Sequence, residues 1–563
     1  MAFQVSPGVQ VREIDLTNVV PAVSSSIGAF AGNFTWGPIE EIVDVSSEKQ
    51  LAASFGVPTT SNAADFFTAA SFLKYSSALR VVRIPNSAYK NAADGTTAPL
   101  IKNVASYDNT YTAAGTNDGN HFAAKYAGTL GNSLKVSVCA AASTTVAFEG
   151  WTYKALFDTA PGTSDFVNDL GGSRDEVHVV IVDEDGAWSG VAGTVLEKFA
   201  YLSVAAGAKN DDGSTNYYRE VLNSQSAYVW WLDHPSEFTN AGSAGTTTFT
   251  NTDPQVDFSL TGGVDVSTTT PGNIQSGYAL FSDATAVDVN LLIGPVLPST
   301  LSDATATANY VLGIAAARQD CIATISPYVA ATVGNSDPKA AVIAFADTLT
   351  GTSYGVLDST AVKMYDKYND QYVNVPASGH VAGLCARTDA SADPWFSPAG
   401  LTRGQLLGVT RLAFNPTQLQ RDDLYKKRVN PIVSFPGEGT ILFGDRTLLA
   451  KPSAFDRINV RRLFIVLEKA ISTAARAQLF EFNDEFTRAM FRNMVEPFLR
   501  DVKGRRGVTE FKVVCDTTNN TSDIIDSNQF VGDIYIKPNR SINFITLNFI
   551  ATRSGVSFNE IGG

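Results

Sequence analysis

Cysteine is scarce in this chain of 563 residues: Cys139, Cys321, Cys385 and Cys515 are far apart and form no C-x-x-C pair. That spacing argues against a disulfide framework and against a zinc site, leaving buried free thiols as the expectation. Histidine is as rare. His121, His178, His234 and His380 stand alone, with no second ligand or base at helical spacing, and read as ordinary hydrogen-bonded side chains. No apolar run approaches the roughly 18 residues that span a bilayer, and Met1 to Val11 lacks the basic start and apolar block of a secretory signal. Membrane insertion is not expected, and the chain reads as cytoplasmic when made.

Phosphate-binding glycines are missing too. Without a Gly-x-x-x-x-Gly-Lys-Ser/Thr or a Rossmann fingerprint there is no backbone cradle for a nucleotide, and no cofactor is implied. One Gly-x-Ser-x-Gly match occurs, at Gly351 to Gly355 around Ser353. A hydrolase elbow needs a strand before its serine and a helix after it. Here an alanine-rich helix precedes and Val356-Leu357 reads as strand, so Ser353 is a turn residue and hydrolysis the weaker alternative. The acidic turns Asp183 to Gly186 and Asn210 to Gly213 resemble the middle of a calcium loop. Ile181 and Ala208 stand at the first loop position, and Ala192 and Arg219 at the twelfth, where carboxylates are required. Both read as Asp-Gly turns, and no metal site is assigned.

Charge is low, at 17% Asp, Glu, Lys and Arg, and it is unevenly spread. Residues 401–563 hold 23 basic against 17 acidic side chains, whereas residues 1–400 hold 19 against 39. The C-terminal part therefore suits an acidic partner, and the rest is an acidic solvated surface. Its basic groups, Lys426-Lys427-Arg428, Arg457, Arg461-Arg462 and Lys503-Arg505-Arg506, lack the interleaved aromatics of single-strand binders, so direct nucleic-acid binding is not expected.

What is present is a globular composition, 44% hydrophobic with 44 glycines, long enough for several domains. Phe3, Val5, Val9 and Val11 alternate with polar residues around Pro7-Gly8, and Ile545 to Ala551 does the same, resuming at Val556 and Phe558. Both ends read as extended arms. Between them the text is mixed α/β. Ser61-Asn62 caps a helix through Leu73, the strand Leu79–Ile84 follows, and 91–120 is a polar crossing into β-rich text that includes Leu134–Cys139 and Glu176–Val182. Helix-like Val191–Ala206, Asp303–Gln319 and Pro338–Thr350 alternate with strands Ala227–Leu232, Val289–Ile293 and Cys321–Ile325, with a long loop at Asn251–Gly277. That alternation predicts βαβ units on a mostly parallel sheet. Two helices follow: one buries Leu463, Leu467, Ala470, Ile471 and Ala474 and turns Lys469, Ser472 and Arg476 outward. The other starts at Asn483 or Asp484 with Phe486, Met490 and Met494 inward, and Pro497 should end or kink it.

The fold class expected is α/β and α+β, multi-domain: arm 1–24, discontinuous α/β middle domain 25–95 and 190–390, β-rich insertion 96–189, α+β core 391–550, and arm 551–563. Ser6 to Glu13 (SPGVQVRE) resembles the N-terminal signature of the tail sheath proteins of contractile phages. Ala124 to Leu134, with Ala127 and Leu130 in place of Pro and Trp, resembles their Pro-Gly-x-Trp-Gly-Asn segment. Trp395 to Gly404, Asn430-Pro431, Leu442 to Thr447 with Phe443 in place of Trp, and Asn459 to Leu463 follow their C-terminal order.

The resemblance implies a virion structural protein, not an enzyme. It implies stacking as hexameric rings around a tail tube protein, between baseplate and tail terminator proteins, and contraction to drive the tube through a host envelope. A headless phage-derived injection particle is the alternative. It implies strand exchange between neighbouring subunits, for which Phe3, Val5, Val9, Val11, Val556 and Phe558 are the candidates. Lys469, Arg476, Arg488 and Arg492 are the candidate tube-facing residues.

Overall fold

The computed structural model describes residues 24–111, 119–142 and 145–543. All six strand-exchange candidates lie outside these residues. The chain divides into two compact units, a larger one of 24–391 and 398–456 and a smaller one built on 392–397 and the chain from Arg457. Residues 398–456, expected in the C-terminal core, thus belong with the α/β unit.

The larger unit opens with β1 (Gly28–Gly32), β2 (Ile42–Val45), α1 (Ala63–Leu73) and β3 (Leu79–Arg83). Asn62 stands at the N-cap of α1 and Pro85 follows β3, as the sequence predicts. The chain then departs into a β-rich layer: β4 (Leu134–Ala140), β5 (Glu176–Asp183), β6 (Thr194–Ser203) and β7 (Gln255–Ser259) form an antiparallel sheet in the order β7-β4-β5-β6. Val136, Val138, Val177, Val179, Ile181 and Phe258 bury its inner face. The layer joins the unit where Lys90 and Val264 pair antiparallel, each N–H bonding the other's carbonyl.

Two expectations fail here for one reason each. The helix expected at Val191–Ala206 is strand β6. Register shifts against β5 let Leu196, Phe199 and Leu202 pack on one core while Val195 turns to the other face with Val180 and Val182, so apolar residues spaced three apart share one face of a bulged strand. A helix reads the same spacing. The loop expected at Asn251–Gly277 contains β7 and helix α2 (Pro271–Ala279), which Thr270 and Asn273 start with a reciprocal capping box and Pro271 at the first turn. The β-rich layer therefore extends well past residue 189.

After α2 the chain alternates β8 (Leu291–Ile293), α3 (Leu301–Arg318), β9 (Ile322–Ile325), α4 (Pro338–Thr348), β10 (Gly355–Asp358), α5 (Ser378–Ser391) and β11 (Val429–Asn430). These complete a seven-stranded sheet, β11-β10-β9-β8-β1-β3-β2, parallel except for β2 against β3. Ala29, Ala31, Ala323 and Ile325 enter the core of Tyr278, Val311 and Phe345, from α2, α3 and α4. On the other face Gly28 lies under the Phe72 ring of α1, and Thr324 Oγ1 donates to Ser378 O of α5. Helices on both faces explain why these strands are apolar without alternation.

The smaller unit packs α6 (Ile458–Ala475) and α7 (Glu485–Gly504) with the hairpin β12 (Val508–Val514) and β13 (Asp533–Pro538) around Trp395, Leu463, Leu467, Met494 and Leu499. Asp484 caps α7, accepting from Thr487 N–H at 2.8 Å. Pro497 does not end the helix, which runs to Gly504. The prolyl ring is exposed, and Leu499 and Val502 beyond it are held in the core. Phe486, expected inward, points out and is 69% exposed, because Thr487, Arg488 and Phe491 take the buried face of that turn.

Candidate functional site

The residues with chemical potential are structural where the fold places them. Ser353 lies in the turn between α4 and β10, helix before and strand after, 8% exposed. Asp183 is a turn anchor: it accepts from Ser133 Oγ (2.7 Å), Ser189 N–H (2.7 Å) and Trp188 N–H (3.0 Å). His121 Nδ1 sits 2.6 Å from Asp94 Oδ2, which raises its pKa, but the same carboxylate is occupied by the backbone N–H groups of His121 and Phe122. His178 stacks on Phe157 with its Nε2 2.9 Å from Thr159 O, and burial lowers its pKa. His234 meets Tyr218 Oη at 2.6 Å. His380 is fully buried against Tyr75 Oη, and desolvation pushes it down to about 3. All four cysteines are free and buried.

The basic groups of the C-terminal part are divided between the two units. Arg461 and Arg462 are buried, at 6% and 4% exposure, inside the smaller unit. Arg505 is spent within that unit on Asp393, Asp501 and the face of Trp395. Lys426, Lys427 and Arg428 line a cleft of the larger unit together with Arg446 and Lys451.

Among the four tube-facing candidates, Arg476 is exposed at the end of α6, and Lys469 and Arg492 are half-buried. Arg488 is not a surface charge. It is 7% exposed and donates to Asn483 Oδ1 at 2.9 Å and Asn483 O at 3.3 Å, bracing the segment before α7.

Two surfaces were missed by the sequence reading. Among the described residues β12 and β13 pair only with each other, so each offers an outer edge. The period-two run of Phe511, Val513 and Ile534, Ile536 was there to be found. The second is the link between α6 and α7 with the first turn of α7, where Leu479, Phe480, Phe482 and Phe486 all face solvent.

Comparison with known proteins agrees with this layout. The phage tail sheath protein central domain matches 271–448, the phage tail sheath C-terminal domain matches 450–552, and the Tail sheath protein Gp18 domain III N-terminal region matches 26–84. The tail sheath protein of Vibrio phage KVP40 is 31% identical over an alignment spanning 99% of both chains. This chain belongs to the phage tail sheath protein family. The sheath protein of Enterobacteria phage T4 is likewise 31% identical, with 99% of each chain covered.

The β-rich layer falls in the gap between the 26–84 and 271–448 matches, and the C-terminal match begins near the division at Arg457. Among solved structures, a sheath tail protein from Listeria innocua superposes with a TM-score of 0.53 at 13% identity, covering 92% of this chain and 96% of its own. The contracted helical sheath of the anti-feeding prophage gives 0.50 at 14%, covering 98% and 100%. At those identities the likeness is one of fold. The protein is a structural sheath subunit, and the side chains above hold turns and cores together.

Proposed function

We propose that the chain polymerises as stacked hexameric rings around a tail tube and contracts by rigid-body rearrangement, driving the tube through a host envelope for genome delivery. Before assembly it resides in the host cytoplasm, and afterwards in the virion tail, bounded by baseplate and tail terminator proteins. A chain similar to this one is part of the solved anti-feeding prophage baseplate, which supports the baseplate contact. In this reading, arms 1–24 and 551–563 connect neighbours.

The observation that carries the connection is the two-stranded sheet β12–β13 with its outer edges open among the described residues. A neighbour's arm that adds a strand gains main-chain hydrogen bonds, while Phe3, Val5, Val9, Val11, Val556 and Phe558 supply the alternating side chains that set register. Such links survive sliding between subunits because only the arms need to bend. Removing Met1 to Arg12 is expected to leave soluble monomers by sedimentation and negative-stain microscopy. Tubes from that variant refute the strand exchange.

A sheath of a headless injection particle is the second reading, and the fold likeness to the anti-feeding prophage supports it. Identity of 31% across 99% of two phage sheaths favours the phage tail.

A further inference from the structure

Two surface features are not used by the arm or tube contacts proposed above. The first is the segment 479–486, where Leu479, Phe480, Phe482 and Phe486 are 63%, 105%, 83% and 69% exposed. The segment is held in place. Leu479 N–H bonds Arg476 O, Glu481 N–H bonds Gln478 O, and Asn483 Nδ2 donates to Asn520 Oδ1 (3.1 Å) and Gln529 O (2.8 Å). Phe480 adopts left-handed backbone, φ 72°, which is strained for a bulky residue. Among the described residues, these rings join no core of the smaller unit. Glu481 and Glu485, both exposed, stand among the phenylalanines.

The second feature is the basic cleft of the larger unit, about 300 Å³, into which Lys426, Lys427, Arg428, Arg446 and Lys451 converge. Asp347 and Asp456 also line it, and Asp347 is neutralised by Lys427 at 2.8 Å. Arg428 donates to Leu448 O at 2.8 Å. Arg446 donates to Tyr425 O at 2.8 Å with its guanidinium 5.1 Å from the Tyr425 ring. Each planar group is thereby oriented by one bond and keeps further N–H donors for a carboxylate. The rest of the lining is apolar: Leu449, Ala450 and Pro452. Cations beside apolar wall suit a guest that carries both acid and aromatic groups.

We propose that this cleft receives segment 479–486 of a second copy of the chain. Glu481 or Glu485 meets the guanidinium groups of Arg428 and Arg446, and a phenylalanine covers Leu449 and Pro452. Segment and cleft are different patches of the same molecule, so the contact is heterologous and propagates from copy to copy as a ring or a helix. The inference rests on the self-assembly reading above and names a contact within it. The charged part of the contact is screened by salt, whereas the strand-exchange hydrogen bonds are not.

The test uses the full-length chain, with sedimentation and negative-stain microscopy to measure the critical concentration for polymer. Lys426→Glu with Lys451→Glu, both at exposed positions, is expected to raise it at least tenfold, and Glu481→Lys with Glu485→Lys to do the same. All four changes in one chain are expected to bring it back within about threefold of the unmutated protein. Circular dichroism confirms that each variant folds. A quadruple variant no better than its parents, or either pair assembling normally, overturns the contact while leaving the sheath reading intact. A segment variant that assembles alone yet fails only on tail tubes assigns the segment to the tube and also overturns it. An unmutated chain that forms no polymer overturns both readings.

Discussion

Asp358 ends β10 at 1% exposure, and burial pushes its carboxyl up to about 7. Ser326 Oγ and the Thr360 N–H donate to it and offset part of that cost. In the fold the group keeps its proton to about pH 7, whereas in the unfolded chain it loses it near 4. The native state binds more protons between those values, so this residue's contribution to stability falls as pH rises from 4 to 7. A shift of that size corresponds to about 4 kcal/mol at its limit. Asp358→Asn removes the ionisation but sets an amide NH₂ against Ser326, giving some of the gain back. The expected outcome is a melting temperature several degrees higher at pH 8 and little changed at pH 4. An equal shift at both pH values would show that ionisation is not the cause.

At the scale of elements, α5 meets α1 backbone to backbone. A Cβ on Gly379 would lie 2.1 Å from Thr68 O, and one on Gly383 would lie 2.3 Å from the Tyr75 ring. Alanine improves helix propensity by about 1 kcal/mol, but forcing two helices apart costs about 1 to 3 kcal/mol or more. Gly379→Ala is therefore expected to destabilise the larger unit, read as a lower urea midpoint. Gly313→Ala in α3, where a new Cβ meets nothing within 4 Å, should be neutral or stabilising. Elements whose signals were local could be read from sequence: Asn62 before α1, Pro338 opening α4, Asp484 before α7. β6 could not, because its bulges arise from pairing with β5 and turn a strand's period into a helix's. α2 was legible in Thr270-Pro271 and lost among the surrounding Thr and Gly. Of the candidate site residues, Arg476 sits on the surface as read, whereas Arg488 is hidden by Asn483, a contact set by the fold of the segment before α7 and absent from any helical wheel.

At the scale of the molecule, burial removes Arg461, Arg462 and Arg488 from the basic excess of residues 401–563, and ion pairing occupies Arg505. The cations left for the proposed tube contact are fewer than the count suggests, and exposed pairs are worth about 0 to 1 kcal/mol each. If the smaller unit's exposed cations hold the tube as proposed, contacts of that strength would release readily during contraction. Arg476→Glu with Arg492→Glu is expected to abolish assembly templated on tail tubes while tubes formed by the sheath alone persist, scored by microscopy of both mixtures. Unchanged templating would remove these residues from the tube contact.

The β-rich layer, finally, begins and ends at the Lys90–Val264 pair, two neighbouring points on the larger unit. A detour whose ends coincide can be lengthened, shortened or exchanged without altering the spacing of the strands on either side. A splice at that one address would exchange the whole layer while keeping the seven-stranded frame.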